Sequence, residues 1–367
     1  MSPRSEERTK SNSFFTDCKI LICVGGGGVG KTTMAAALGV LAAQSGLKTL
    51  VLTIDPSLRL AQILGIEGCS DISLVPGQSY PGTLKASVVN HKAVFDSFVR
   101  RASTSPEVVD RIQNNRLYQQ LSTTLSGSQE FTALESLYQS HTSGLYDLII
   151  LDTPPAQHAI DFLQAPQKLA ALFSEGVAKW FRRPEAGRTG IVAKLLNSGT
   201  RQALKILEML TGADFIRELS DFFMIIENWQ SKLHDRTVEF QRLLVSPTTH
   251  FALVTSFEEA KLSEAQVFSQ EITKSGYHLK RVFLNRAFPN WHLDALQIKA
   301  GNEKVVTEIK RLFFEWKLFY DLRQKLFELF SQKLPSGVQT YRVAEFIMPI
   351  SDLNGLEKMA LRIQEDS

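Results

Sequence analysis

The sequence predicts an α/β fold: a mostly parallel, doubly wound sheet with helices on both faces and a helical subdomain inserted in it. Three observations carry that expectation. Short apolar, β-prone runs alternate with helical stretches, at Lys19–Val24, Lys48–Ile54, Leu84–Val89, Tyr146–Asp152, Thr249–Ser256 and Leu279–Asn285. The first run leads through a glycine-rich turn into an Ala-rich helix, and strand, crossover helix and strand make a right-handed unit. From Gln167 to Leu244 the pattern turns almost wholly helical.

In order, residues 1–16 are polar and rich in Ser, Arg and Glu, and read as a disordered tail. Residues 17–166 and 246–367 make the α/β domain, and residues 167–245 the subdomain inserted in it. The glycine-rich turn is Gly25-Gly26-Gly27-Gly28-Val29-Gly30-Lys31-Thr32-Thr33, which fits G-x-x-x-x-G-K-[ST] between strand and helix. Its backbone N–H groups and the helix N-terminus favour a polyphosphate. Lys31 reaches the β and γ phosphates and Thr32 ligands Mg²⁺ in such a loop. The fold is therefore expected to be a P-loop NTPase.

The second strand closes on Asp55-Pro56. A carboxylate there either faces the nucleotide crevice or caps the helix that follows. Helices are expected over Ala93–Ala102 and Pro106–Leu121, then a polar loop at Gly127-Ser128-Gln129-Glu130. The apolar strand at 146–152 ends in Asp152, the form in which a carboxylate holds the Mg²⁺ shell.

Phe215, Leu219, Phe222, Ile226, Trp229 and Leu233 fall on one helical face, and Leu169, Leu172, Phe173 and Trp180 line another. Such stripes either pack on each other or form a groove. Val306, Ile309, Phe313, Trp316 and Tyr320 recur at helical spacing beside Lys310, Arg311 and Lys317, a basic face that is solvated or touches a membrane surface. Phe346-Ile347-Met348 reads as a last strand before Pro349, and Leu353–Ile363 as an amphipathic helix.

Composition limits the partners. In 367 residues the formal net charge is +3 with no dense Lys/Arg block, so no nucleic-acid footprint is present. Cys18, Cys23 and Cys69 form no C-x-x-C pair, which argues against a disulfide framework or a cysteine zinc site. No 18-residue apolar run or signal-peptide core occurs, so a cytoplasmic protein with at most peripheral membrane contact is expected.

Together the three nucleotide motifs resemble the ArsA family of ATPases (arsenite pumps and tail-anchored-protein targeting factors). That family carries G-K-G-G-V-G-K-T-T, T-D-P-A-H and D-T-A-P-x-G-H, which stand here as Gly25 to Thr33, Thr53-Ile54-Asp55-Pro56-Ser57 and Asp152-Thr153-Pro154-Pro155-Ala156-Gln157-His158. Gly127–Glu130 and Asp161–Pro166 are closest to a bacterial subgroup of ArsA-related ATPases. The resemblance implies a Mg²⁺-dependent ATPase in which Asp55 orients the attacking water and Asp152 to His158 sense the γ-phosphate. It implies that Asn285 reads adenine and that Pro349 begins a loop covering it; Asn285 alone is equally a turn residue after a strand. It further implies a dimer and an apolar client held by the helical subdomain.

Departures accompany the resemblance. Gly26 stands where the family has a signature lysine that reaches a partner's phosphates. Leu58-Arg59 replaces its histidine, leaving Arg59 as the candidate internal cation. The zinc C-x-x-C and the arsenite-binding cysteines are absent, which argues against arsenite transport and zinc-bridged dimers. The favoured expectation is a nucleotide-gated dimeric chaperone or targeting factor whose isolated chain hydrolyses ATP weakly. The alternative is a hydrolysis-poor adaptor, as a homodimer or with a lysine-bearing paralogue. A ParA-like positioning ATPase is disfavoured by the missing lysine and the acidic C-terminal end.

Overall fold

The computed structural model describes residues 14–55, 59–66, 71–103, 105–116, 118–119, 128–154, 218, 222, 230–287 and 303–365. The chain divides into two compact units, one of Met1–Val88, Gln139–Asp161 and Leu244–Ser367, the other of Val89–Tyr138 and Phe162–Leu243. Strands are β1 (Ile20–Gly25), β2 (Lys48–Thr53), β3 (Ser73–Leu74), β4 (Thr83–Val88), β5 (Leu148–Asp152), β6 (Thr249–Ser256), β7 (His278–Ala287) and β8 (Gln339–Ala344). Among the described residues the helices are α1 (Lys31–Gln44), α2 (Arg59–Leu64), α3 (His91–Ala102), α4 (Pro106–Gln113), α5 (Ser128–Thr142), α6 (Gln230–Leu244), α7 (Glu259–Lys274), α8 (Glu303–Ser331) and α9 (Leu353–Glu365).

The first unit holds one eight-stranded sheet in the order β3-β4-β2-β5-β1-β6-β7-β8. Among the described strands only the β3–β4 pair is antiparallel. This is the mostly parallel α/β fold the alternating pattern predicts. Strands buried on both faces read as unbroken apolar runs, as Ile20-Leu21-Ile22-Cys23 and Leu148-Ile149-Ile150-Leu151 do. Crossover helices hold the β1 carboxyl end between those of β5 and β6. From β1 the chain crosses to β2 on one side, and from β5 to β6 on the other, and open α/β sheets bind ligands at such a switch point.

α1 has no apolar stripe, because Met34 through Ala43 are buried all round. It packs on the sheet on one side and on α9 on the other. Leu356, Met359, Ala360 and Ile363 are the buried face of α9, as its amphipathic pattern predicts.

Several sequence expectations are corrected. Phe14 and Phe15, assigned to the tail, are buried and stack near Phe283 and Tyr341. Two adjacent aromatic rings gain more from burial than a polar tail does from solvation. Ser128 to Glu130 form the first turn of α5 instead of a loop, with Glu130 acidic in that turn. Phe346–Met348 is not a strand: β8 lies earlier, paired with β7 from Arg281↔Gln339 to Ala287↔Ala344. The pairing of β8 with β7 ends at Ala344, before this run, and Ile347 is wholly exposed.

Along α8 Val306, Phe313 and Tyr320 are half-buried and Phe327 is buried, one residue every seven. Phe257 meets Tyr320 and Phe327 edge-on, while Ile309 and Trp316 of the expected stripe are exposed. Among the described residues no helix is long and apolar enough to cross a membrane.

In the second unit Phe95, Phe98, Tyr118, Phe131 and Phe240 form an aromatic core. The buried Glu135 carboxylate accepts from Arg101 at 2.8 Å and meets Arg236 at 3.2 Å. Buried charge is retained in this way only when paired. Of the expected stripes, Phe222 and Leu233 are described and buried; Leu169, Leu172, Phe173, Trp180, Phe215, Leu219, Ile226 and Trp229 lie outside the described residues.

Candidate nucleotide site

The loop from Gly25 to Gly30 turns from β1 into α1, and two of its glycines are dictated by geometry. A Cβ on Gly25 would fall 2.2 Å from the Val254 carbonyl oxygen, so β1 meets β6 there only without a side chain. Gly30, at the helix cap, has φ 89°, a left-handed conformation that glycine adopts without cost. A Cβ at Gly30 would also lie 2.4 Å from Asn285 Nδ2.

Lys31 opens α1 and is buried. Its ammonium donates to the Gly25 and Gly26 carbonyls, at 2.9 and 2.7 Å. Burial pulls its pKa below the ordinary lysine range, opposed by the charges of Asp152 and Glu264. A group so placed gains most from an anion at the loop's mouth.

Strand register then delivers the carboxylate. Asp152 lies level with Cys23 of β1 and Thr53 of β2. Thr32 and Thr53 hydroxyls both donate to its Oδ2, at 2.7 and 2.9 Å. Desolvation raises the Asp152 carboxyl to about 6, against the lowering effect of those two hydrogen bonds and Lys31. Its Oδ1 is buried without a hydrogen-bond partner. A hydroxyl beside a carboxylate with an idle oxygen fits a hard cation. Among the described residues no cluster of three His, Cys, Asp or Glu competes for a metal. Mg²⁺ suits such a sparse set, since it takes one or two carboxylates and completes its shell with phosphate and water.

Half-buried Asp55 follows β2, its backbone N–H donating to Thr53 Oγ1 at 3.2 Å. Thr153, next to Asp152, donates from its hydroxyl to the Cys23 carbonyl at 2.8 Å, fixing the start of the segment after β5. Pro155 to His158, and the residues 56–58 that would show whether Asp55 caps a helix, lie outside the described residues.

Asn285 projects from the carboxyl end of β7, where it donates to the Val29 carbonyl at 2.8 Å. A cleft of about 660 Å³ opens beside it, lined by Gly30, Thr33, Arg59, Asn285, Phe346 and Pro349 among others. The structure thus brings together two sets of residues: Lys31, Thr32 and Asp152 with Thr53, and Asn285, Pro349 and Arg59 around the cleft. Arg59 belongs to the second set. The Thr53 bond to Asp152, and the places of Phe346 and Arg286 on the cleft wall, were not read from the sequence. Thr53 meets Asp152 only because β2 and β5 pair in register, which no local pattern shows.

A family described as anion-transporting ATPase, the ArsA type, matches residues 18–325. The chain belongs to this family. The matched span holds the loop, Asp55, Asp152 and Asn285 and stops short of Pro349. An uncharacterized protein of Streptomyces coelicolor is 32% identical over 41% of this chain and 38% of its own length. ATPase GET3B of Arabidopsis thaliana is 25% identical over 75% of this chain and 65% of its own. ATPase ASNA1 homolog 1 of Paramecium tetraurelia is 31% identical over 40% of this chain and 43% of its own. This ArsA-family chain therefore matches less than two thirds of the length of each.

Proposed function

We propose that the chain binds ATP with Mg²⁺ and hydrolyses it, slowly when isolated, as a nucleotide-gated dimeric chaperone or targeting factor for apolar clients. The observation that carries the chemistry is the convergence of Lys31, Thr32 and Asp152 at the carboxyl ends of β1 and β5. Loop amides and Lys31 hold the phosphates, and Lys31 exchanges its two carbonyl acceptors for phosphate oxygens. Thr32 and Asp152 hold Mg²⁺, which when bound neutralises charge on the β and γ phosphates. Asp55 orients the attacking water, and catalysis is positioning and charge stabilisation without a covalent intermediate.

Asn285 and the loop carrying Pro349 receive the base. Arg59, on the wall of that same cleft, suits the ribose or α-phosphate better than the γ-phosphate. The gating and client roles rest on the family resemblance, with residues 167–245 as the client-binding insertion and the cytoplasm as the compartment. A hydrolysis-poor adaptor is the second reading, favoured by Gly26, which brings no cation of its own to the phosphates.

Calorimetry tests the site. Lys31→Ala should take MgATP affinity below detection and leave the thermal midpoint near wild type. Wild-type affinity in that variant would remove the assignment. Multiple-turnover assays with and without an apolar helical peptide separate the two roles, because only the chaperone reading expects stimulation.

A further inference from the structure

We propose that Lys261 is a second phosphate-binding residue of this site, supplied in cis, which Glu264 holds beside the loop until a γ-phosphate takes the carboxylate's place. The inference rests on the nucleotide reading above.

The placement follows from register. β1 and β6 run side by side with Gly25 opposite Val254, so the turn after Ser256 and the first turns of α7 stand next to the phosphate loop. The Thr255 hydroxyl donates to the Lys261 carbonyl at 3.1 Å and ties α7 back to the end of β6. One α7 side chain then covers Gly26: a Cβ built on that residue would meet Glu264 Oε2 at 2.4 Å. Lys261 Nζ contacts the same oxygen at 3.1 Å. A single carboxylate oxygen therefore joins a loop glycine to a lysine ammonium, in the space a side chain at position 26 would occupy. Both charges lie within electrostatic reach of Lys31, whose proton affinity Glu264 raises and Lys261 lowers.

Chemistry gives the pair a use. A triphosphate brings more negative charge than Lys31 alone offsets, and Lys261 is already desolvated to 28% side-chain exposure beside the loop. Lysine is a point charge on a flexible stem, able to leave one oxygen acceptor for another. With the γ-phosphate present, the ammonium exchanges the Glu264 carboxylate for phosphate oxygen; without it, the carboxylate keeps the ammonium in place. An ordinary exposed pair three residues apart on a helix contributes little and senses no ligand.

The experiment compares ADP with a non-hydrolysable ATP analogue, both with Mg²⁺, by calorimetry on the full chain. Lys261→Ala should weaken the analogue about tenfold, the loss of one charge-assisted contact, with ADP affinity nearly unchanged. Lys261→Arg should recover most of it. Glu264→Gln, which removes the competing carboxylate, should tighten the analogue and leave ADP alone. If Lys261→Ala binds the analogue as wild type does while Lys31→Ala does not bind, Lys261 makes no phosphate contact and the nucleotide site stands. If ADP and the analogue weaken equally, the lysine is structural and the proposal fails. If wild type binds neither, the nucleotide reading fails, and this one with it.

Discussion

Asp152 concentrates the conflict at the heart of the site. It is fully buried, it accepts from two hydroxyls through one oxygen, and its carboxyl is raised to about 6 from an ordinary 3.8. An acid whose folded pKa is raised destabilises the fold where it is ionised. Without ligand, stability should therefore rise as pH falls from 7 through 6 toward 4, by up to about 3 kcal/mol from this group. Asp152→Asn should flatten that part of the profile, as read by denaturant unfolding at pH 7 and 5 without Mg²⁺; an unchanged slope would show that Asp152 titrates normally. Metal binding needs the ionised carboxylate, so MgATP affinity should fall over the same interval. Asp55 differs in being half-buried, and its backbone N–H donates to Thr53 Oγ1, one of the two hydroxyls on Asp152 Oδ2. Asp55→Asn should keep MgATP binding and lose turnover by ~10²-fold, the usual size of a proton-handling contribution. Near-normal turnover would leave Asp55 as the helix cap that its position equally allows.

Among the elements, the loop from β1 to α1 works as a unit with the end of β7. Gly30 supplies a left-handed φ, and its missing Cβ leaves room for the Asn285 amide that bonds Val29. Gly30→Ala should cost about 1–2 kcal/mol from backbone strain alone, and should weaken ATP more than Asn285→Ala does, because it displaces loop and amide together. Equal losses of ATP affinity in calorimetry, with no drop in thermal midpoint for Gly30→Ala, would overturn that coupling of loop and amide. The loop was legible because its chemistry needs glycines and a lysine at fixed spacing. β1, β2, β5 and β6 were legible because strands buried on both faces leave an unbroken apolar run. Phe346–Met348 misled for the same reason. Its apolar run lines a cleft and stands in solvent instead of entering a sheet, and composition does not distinguish those fates. Thr53, Lys261 and Glu264 escaped because their roles depend on which strands become neighbours, a long-range fact that local patterns do not hold.

At the scale of the whole molecule the open matter is whether two copies complete each other's sites. Gly26 is buried and its φ lies outside the left-handed region, so the backbone accepts a side chain there. The cost falls on Glu264, whose carboxylate is the flexible end of a side chain and can move aside. A lysine introduced at position 26 would either stay in its own subunit, paired with Glu264 in place of Lys261, or reach a partner's phosphates as the ArsA resemblance implies. The second course can be worth ~10³-fold in phosphoryl transfer when a cation is supplied in trans. Gly26→Lys is therefore expected to raise turnover at concentrations where sedimentation shows a dimer. A mixing experiment decides the route. A subunit carrying Gly26→Lys and Lys31→Ala has no working site and can only donate. Added to wild-type chain, it should accelerate hydrolysis if the lysine acts across the interface. If Gly26→Lys alone accelerates while the double variant adds nothing, the charge acts within one subunit. The site is then completed in cis, which agrees with Lys261, and the heterodimer with a lysine-bearing paralogue loses its purpose.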